Sequence, residues 1–124
     1  MKWTILLVIA ALVVIVLLLK QSGQLSPKEA REHLKKGAVV IDVRSPGEFS
    51  AEHLPNTLNI PLEMIESAVP LRVPDKNQVV LLHCQSGMRS AMAVRKLRAI
   101  GYAKVFNLGS LSRARDILGT PSEN

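Results

Sequence analysis

The chain has 124 residues, sixteen Lys and Arg against ten Asp and Glu, and a formal net charge of +6. That length leaves room for one small domain beside the N-terminal segment, and the single cysteine excludes an internal disulfide. Aromatic residues make up only 3% and do not interleave with the basic ones, so nucleic-acid binding is not expected.

Trp3 to Leu19 is a run of seventeen uncharged residues between Lys2 and Lys20. At about 1.5 Å per residue this is the short end of a spanning helix, with Trp3 suited to one interface. A cleaved signal peptide is the alternative. The run exceeds a usual signal core, however, and Lys20-Gln21-Ser22-Gly23-Gln24 offers no small-x-small site. Residues 1–20 are therefore expected to be a single-pass membrane anchor, with residues 3–19 as the membrane contact. Lys20, Lys28, Arg31, Lys35 and Lys36 outnumber the charges before the run, which tilts the following domain toward the cytoplasm, with the periplasm as the alternative.

Residues 21–25 read as a linker, 26–119 as the folded domain and 120–124 as a disordered tail. Ser26-Pro27-Lys28-Glu29 is a capping box with proline at the first helical position, and the helix should end near Lys36 at Gly37. Ala38 to Val43 is a continuous β-branched run, the pattern of a strand covered on both faces. Ser45-Pro46-Gly47-Glu48 repeats the capping box and opens a short helix to about Glu52. Leu58 to Ile60 reads as a brief strand ended by Pro61, and Leu62 to Ser67 as a short helix. A connection with Pro70 and Pro74 follows. Val79 to His83 is a second buried strand, Ser90 to Ile100 a helix with Ser90 as its N-cap, Val105 to Leu108 a third strand and Ser112 to Leu118 a last helix. Strands alternating with helices imply an α/β sandwich on a mainly parallel sheet, with ligands bound beyond the strand C-termini. Asp42, Arg44, Cys84 and Leu108-Gly109 all fall at such ends.

The chemistry concentrates at Cys84-Gln85-Ser86-Gly87-Met88-Arg89-Ser90. A thiol ends a buried strand, a short polar loop follows, and a helix N-terminus points back at it. Helix N-terminus and guanidinium both favour thiolate over thiol, and consecutive loop N–H groups can form an anion nest. Without the loop and Arg89, a lone cysteine at a strand end would read as an inert core residue. His83 points to the opposite face from Cys84 and reads as structural. Asp42 is expected to organise neighbouring loops or pair with an arginine. Arg44 either pairs with Glu48 or stands at the site entrance. His53 suits a loop cap, and three scattered histidines lack metal-ligand spacing. Arg95, Lys96 and Arg98 read as a solvated helix face.

Three segments together resemble a rhodanese-like domain. Ile41-Asp42-Val43-Arg44-Ser45-Pro46-Gly47-Glu48-Phe49, Glu52-His53-Leu54-Pro55 and Leu58-Asn59-Ile60-Pro61-Leu62 are similar to its first half. Cys84 to Ser90 resembles its active-site loop, and Gly101-Tyr102 through Asn107-Leu108-Gly109 its closing strand. The size and the Val73-Pro74-Asp75-Lys76-Asn77 turn are most similar to small bacterial rhodaneses of the phage-shock type, which are usually exported. The resemblance implies a three-layer α/β sandwich and sulfurtransfer without metal or organic cofactor. It makes Cys84 the nucleophile that takes sulfane sulfur from thiosulfate or a similar donor. Gln85, Ser86, Gly87, Met88, Arg89 and Ser90 would bind the persulfide and substrate, with Asp42 and Arg44 in support. Acceptors would be cyanide, a thiol or a protein. Arg89 and Arg44 would supply a cationic mouth for the thiosulfate dianion.

Two rivals stand beside this. One is a membrane-tethered binding module with an idle Cys84, against which the intact loop argues. The other is a phosphatase or arsenate reductase. Those relatives place five residues between Cys and Arg, whereas Cys84 and Arg89 are separated by four.

Overall fold

The computed structural model describes residues 1–21 and 24–119, so linker positions 22–23 and the tail 120–124 lie outside the described residues. Helix α1 spans Lys2–Gln21. Its apolar side chains, from Trp3 to Leu18, are exposed. Among the described residues no helix is long and apolar enough to cross a membrane. The expected single-pass anchor is thereby corrected, and with it the membrane localisation. Seventeen uncharged residues rise about 25 Å, short of a hydrocarbon core of about 30 Å.

The remaining elements alternate. Helix α2 (Pro27–Lys35) starts at a complete capping box on Ser26 and Glu29. Strand β1 (Val39–Asp42) leads to α3 (Pro46–Ala51), which opens on a second complete box from Ser45 and Glu48. Strand β2 (Leu58–Asn59), a 3-10 turn at Leu62–Met64 and α4 (Ile65–Arg72) follow. Strand β3 (Val80–His83), α5 (Met88–Ala99), β4 (Val105–Gly109) and α6 (Leu111–Leu118) complete the chain.

Two expectations shift here. Helix α4 runs on through Pro70, where a connection was anticipated. In so short a helix, the missing proline N–H costs one hydrogen bond, while Ile65 and Val69 bury the inner face. Helix α5 begins two residues before Ser90, so Ser90 is no N-cap. That position belongs to Gly87, at φ 97°.

All four strands run parallel in the order β2-β1-β3-β4. Side chains alternate between the faces. Ile41, Val80 and Leu82 meet Ile65, Val69, Val94 and Leu97 on one side. Val40, Leu81 and Leu108 meet Ala30, Leu111, Ala114 and Ile117 on the other. Each central strand therefore buries both faces, which accounts for its unbroken apolar sequence. Pairing slips between Leu82 and His83, so that His83 faces Gly109. This bulge bends β4 at the C-terminal edge of the sheet, where the cysteine loop begins.

Candidate active site

Cys84 leaves β3 with its N–H donating to the Gly109 carbonyl at 3.2 Å, so the bulged end of β4 fixes where the thiol emerges. The chain then turns back through Gln85 and Ser86 to α5. Gly87 makes this turn in the left-handed region, and a Cβ there would lie 3.4 Å from the Gly109 backbone. Gly109 faces it with a positive φ of its own. Two glycines thus let the loop and the strand end approach closely.

The thiol has no exposed surface. Donors surround it instead. The Gly87 N–H lies 3.0 Å from Sγ, the Ser90 N–H 3.4 Å and the Ser90 hydroxyl 3.5 Å. Burial pushes the thiol pKa up, but the donors on Ser90, Gly87 and Ser86 together outweigh it and the net shift is downward. Loop amides and the N-terminus of α5 thus stabilise negative charge on Sγ, the condition for a reactive cysteine.

The Ser90 hydroxyl also approaches the Gly87 carbonyl at 3.1 Å and Asn107 Oδ1 at 2.7 Å. One proton cannot serve three acceptors. The contact to Asn107 is the shortest of the three, so Asn107 and Sγ compete for the same proton.

The two arginines have partners. Arg44 is 2% exposed, and its guanidinium grips Asp42 through Nε at 2.9 and 3.0 Å and Nη2 at 2.8 Å. Nη2 also donates to the Glu52 carbonyl, and Nη1 to Gln85 Oε1 at 3.3 Å, so the buried pair reaches the cysteine loop. Arg44 was expected to pair with Glu48 or to stand at the entrance, and it does neither. Asp42 lies two residues back on the same strand end and captures it first. Glu48 is instead clasped bidentately by Arg89, at 2.8 and 3.0 Å. That pairing, with the Ser45 donors, lowers the Glu48 pKa to about 2.

The rhodanese-like domain profile matches residues 26–113, most of the chain. The chain belongs to the rhodanese-like domain family. It is 39% identical over 71 residues to thiosulfate sulfurtransferase PspE of Escherichia coli, covering 57% of this chain and 68% of that protein. A solved E. coli rhodanese with anions superposes with a TM-score of 0.60 at 36% identity, covering 62% of this chain and 91% of that one. The human single-domain sulfurtransferase TSTD1 superposes with a TM-score of 0.67 at 30% identity, covering 76% and 96%. Some other curated relatives are longer, and the chain spans 17% of one and 14% of another. Within this family the chain is a rhodanese-like sulfurtransferase, acting on a sulfur donor and a sulfur acceptor.

This rhodanese-like domain brings Cys84, Gly87 and Ser90 into one hydrogen-bonded network, to which Asp42, Arg44 and Gln85, bonded among themselves, are joined through the chain at Cys84–Gln85. Ser86 and Met88 are exposed beside it, and Arg89 pairs with Glu48 outside it. Asn107 belongs to that network and was missed. Its Oδ1 accepts from Ser90 and from the Gly109 N–H at 2.8 Å, while its Nδ2 donates to the Gly87 carbonyl. An asparagine inside the apolar run Val105-Phe106-Asn107-Leu108 was the available signal. His83 is fully buried with neither ring nitrogen hydrogen-bonded, 3.8 Å from Asp42, which it faces in the sheet register. His53 caps the end of α3 through the Phe49 carbonyl at 2.8 Å. On α5, Lys96 reaches Glu66 and Arg98 the Val105 carbonyl.

Proposed function

We propose that this chain moves sulfane sulfur from thiosulfate or a similar donor to a thiophilic acceptor through a persulfide on Cys84. The observation that carries the reading is the convergence of loop N–H groups on Sγ in a loop of only four intervening residues. The Cys84 thiolate attacks the outer sulfur of the donor. A new S–S bond forms, the donor's own S–S bond breaks, and sulfite leaves with its electron pair. In the second half, an acceptor such as cyanide, a thiol or a protein thiol attacks the outer persulfide sulfur and Cys84 departs as the thiolate. Dividing the transfer in this way is nucleophilic catalysis, and fixed amide donors favour each anionic sulfur without reorganisation. Because Cys84 is enclosed, the donor reaches it only as the loop bearing Gln85, Ser86 and Met88 yields. Asp42 and Arg44 support that loop by holding Gln85.

The test is the intact mass of the full chain before and after thiosulfate, with Cys84→Ser as control. A gain of one sulfur atom, about 32 Da, that requires Cys84 is expected. A folded protein that gains no mass from any sulfane donor would favour a binding module with an idle cysteine.

A further inference from the structure

Two guanidinium groups, one buried under the cysteine loop and one half-exposed at the start of α5, are each paired with a carboxylate. Arg44 is neutralised by Asp42 and Arg89 by Glu48. Arg113, beside Gly109, donates to the carbonyls of Leu108 and Leu25. Farther out, Arg115 pairs with Glu52. Met88, next to Arg89, presents an apolar side chain to solvent.

We infer that Glu48 is a donor-specificity residue. By occupying the Arg89 fork it disfavours the thiosulfate dianion and favours sulfane sulfur carried on a weakly charged thiol, an organic persulfide. This rests on the sulfurtransfer reading and deepens it.

Geometry makes Glu48 a strong competitor for Arg89. Its Oε1 also accepts from the Ser45 N–H at 3.1 Å and the Ser45 hydroxyl at 3.0 Å, so the α3 capping box holds the carboxylate in place. An anionic donor that takes Arg89 must break two charge-assisted hydrogen bonds. It then leaves an ionised carboxylate facing its own negative charge. An alkyl persulfide needs no such exchange. Cys84 attacks the outer sulfur of R–S–SH, the donor's S–S bond breaks, and R–S⁻ leaves with the electron pair. The proton stays on the transferred sulfur until the bound persulfide ionises.

The experiment compares kcat/KM for thiosulfate with that for hydroxyethyl persulfide in wild type, Glu48→Gln and Glu48→Asp, all as full chains. Gln preserves the capping box and removes the charge, whereas Asp keeps the charge. The thiosulfate-to-persulfide ratio is expected to rise about two- to fivefold in Glu48→Gln, the range for a half-exposed pair, and to stay low in Glu48→Asp. A ratio unchanged or lowered in Glu48→Gln, or moved equally in both variants, overturns the inference. Failure of the sulfurtransfer reading looks different, since neither donor would then load Cys84.

Discussion

At the scale of single residues, the site depends on which proton donors face one sulfur. Ser90 contributes a backbone N–H that any residue would supply and a hydroxyl that only its side chain can. In Ser90→Ala the amide and the helix end remain while the hydroxyl is lost. The Cys84 thiol pKa should therefore rise, read as thiolate ultraviolet absorbance against pH. This is a clean signal, since Cys84 is the only cysteine. The lost hydrogen bond to a charged group should slow sulfur loading near neutral pH by about tenfold. An unmoved titration would mean that the hydroxyl stays on Asn107 in both ionisation states.

At the scale of elements, the loop is held open to its amides by backbone conformation. Gly87→Ala forces a Cβ into the left-handed region and should cost about 1–2 kcal/mol, read as a lower unfolding midpoint. Sulfur loading should fall by more than that loss implies, because the Gly87 N–H is the closest donor to Sγ. Equal losses would mean that the loop only needs to fold. What was legible in the sequence follows the same division. Both capping boxes could be read because Ser26 with Glu29, and Ser45 with Glu48, interact over three residues of local chain. The buried strands were legible because parallel pairing covers both faces. The start of α5 was not, because its cap is a glycine conformation and not a side-chain signature. Nor was the partner of Arg89. Glu48 lies forty-one residues away in sequence, and only the β1–β3 pairing brings the two helix starts together. The continuation of α4 through Pro70 also depends on packing, which no local rule for proline includes.

At the scale of the whole molecule, a buried neutral imidazole and a paired carboxylate couple stability to pH through residues that flank the loop. His83 sits fully buried between strands, and burial lowers its pKa below the ordinary value of 6.5, opposed only in part by Asp42. As pH falls through 6.5, the unfolded chain takes up a proton that the folded chain refuses. Stability is therefore complete above 6.5 and declines below it, until the folded histidine also protonates. Glu48 adds a second stage. Its pKa is 4.5 when free and about 2 when folded, so its contribution is present above 4.5 and is lost between 4.5 and about 2. Chemical denaturation at a series of pH values should show both stages. His83→Leu separates them, because neither imidazole nitrogen has a hydrogen bond to lose. At pH 7.5 to 8 the variant should lie within about 1 kcal/mol of wild type, as expected when an unpaired buried polar group becomes apolar. Its decline should begin only with the carboxylates. If His83→Leu kept the loss that sets in below pH 6.5, the acid sensitivity would lie in another group and the buried imidazole would be neutral packing.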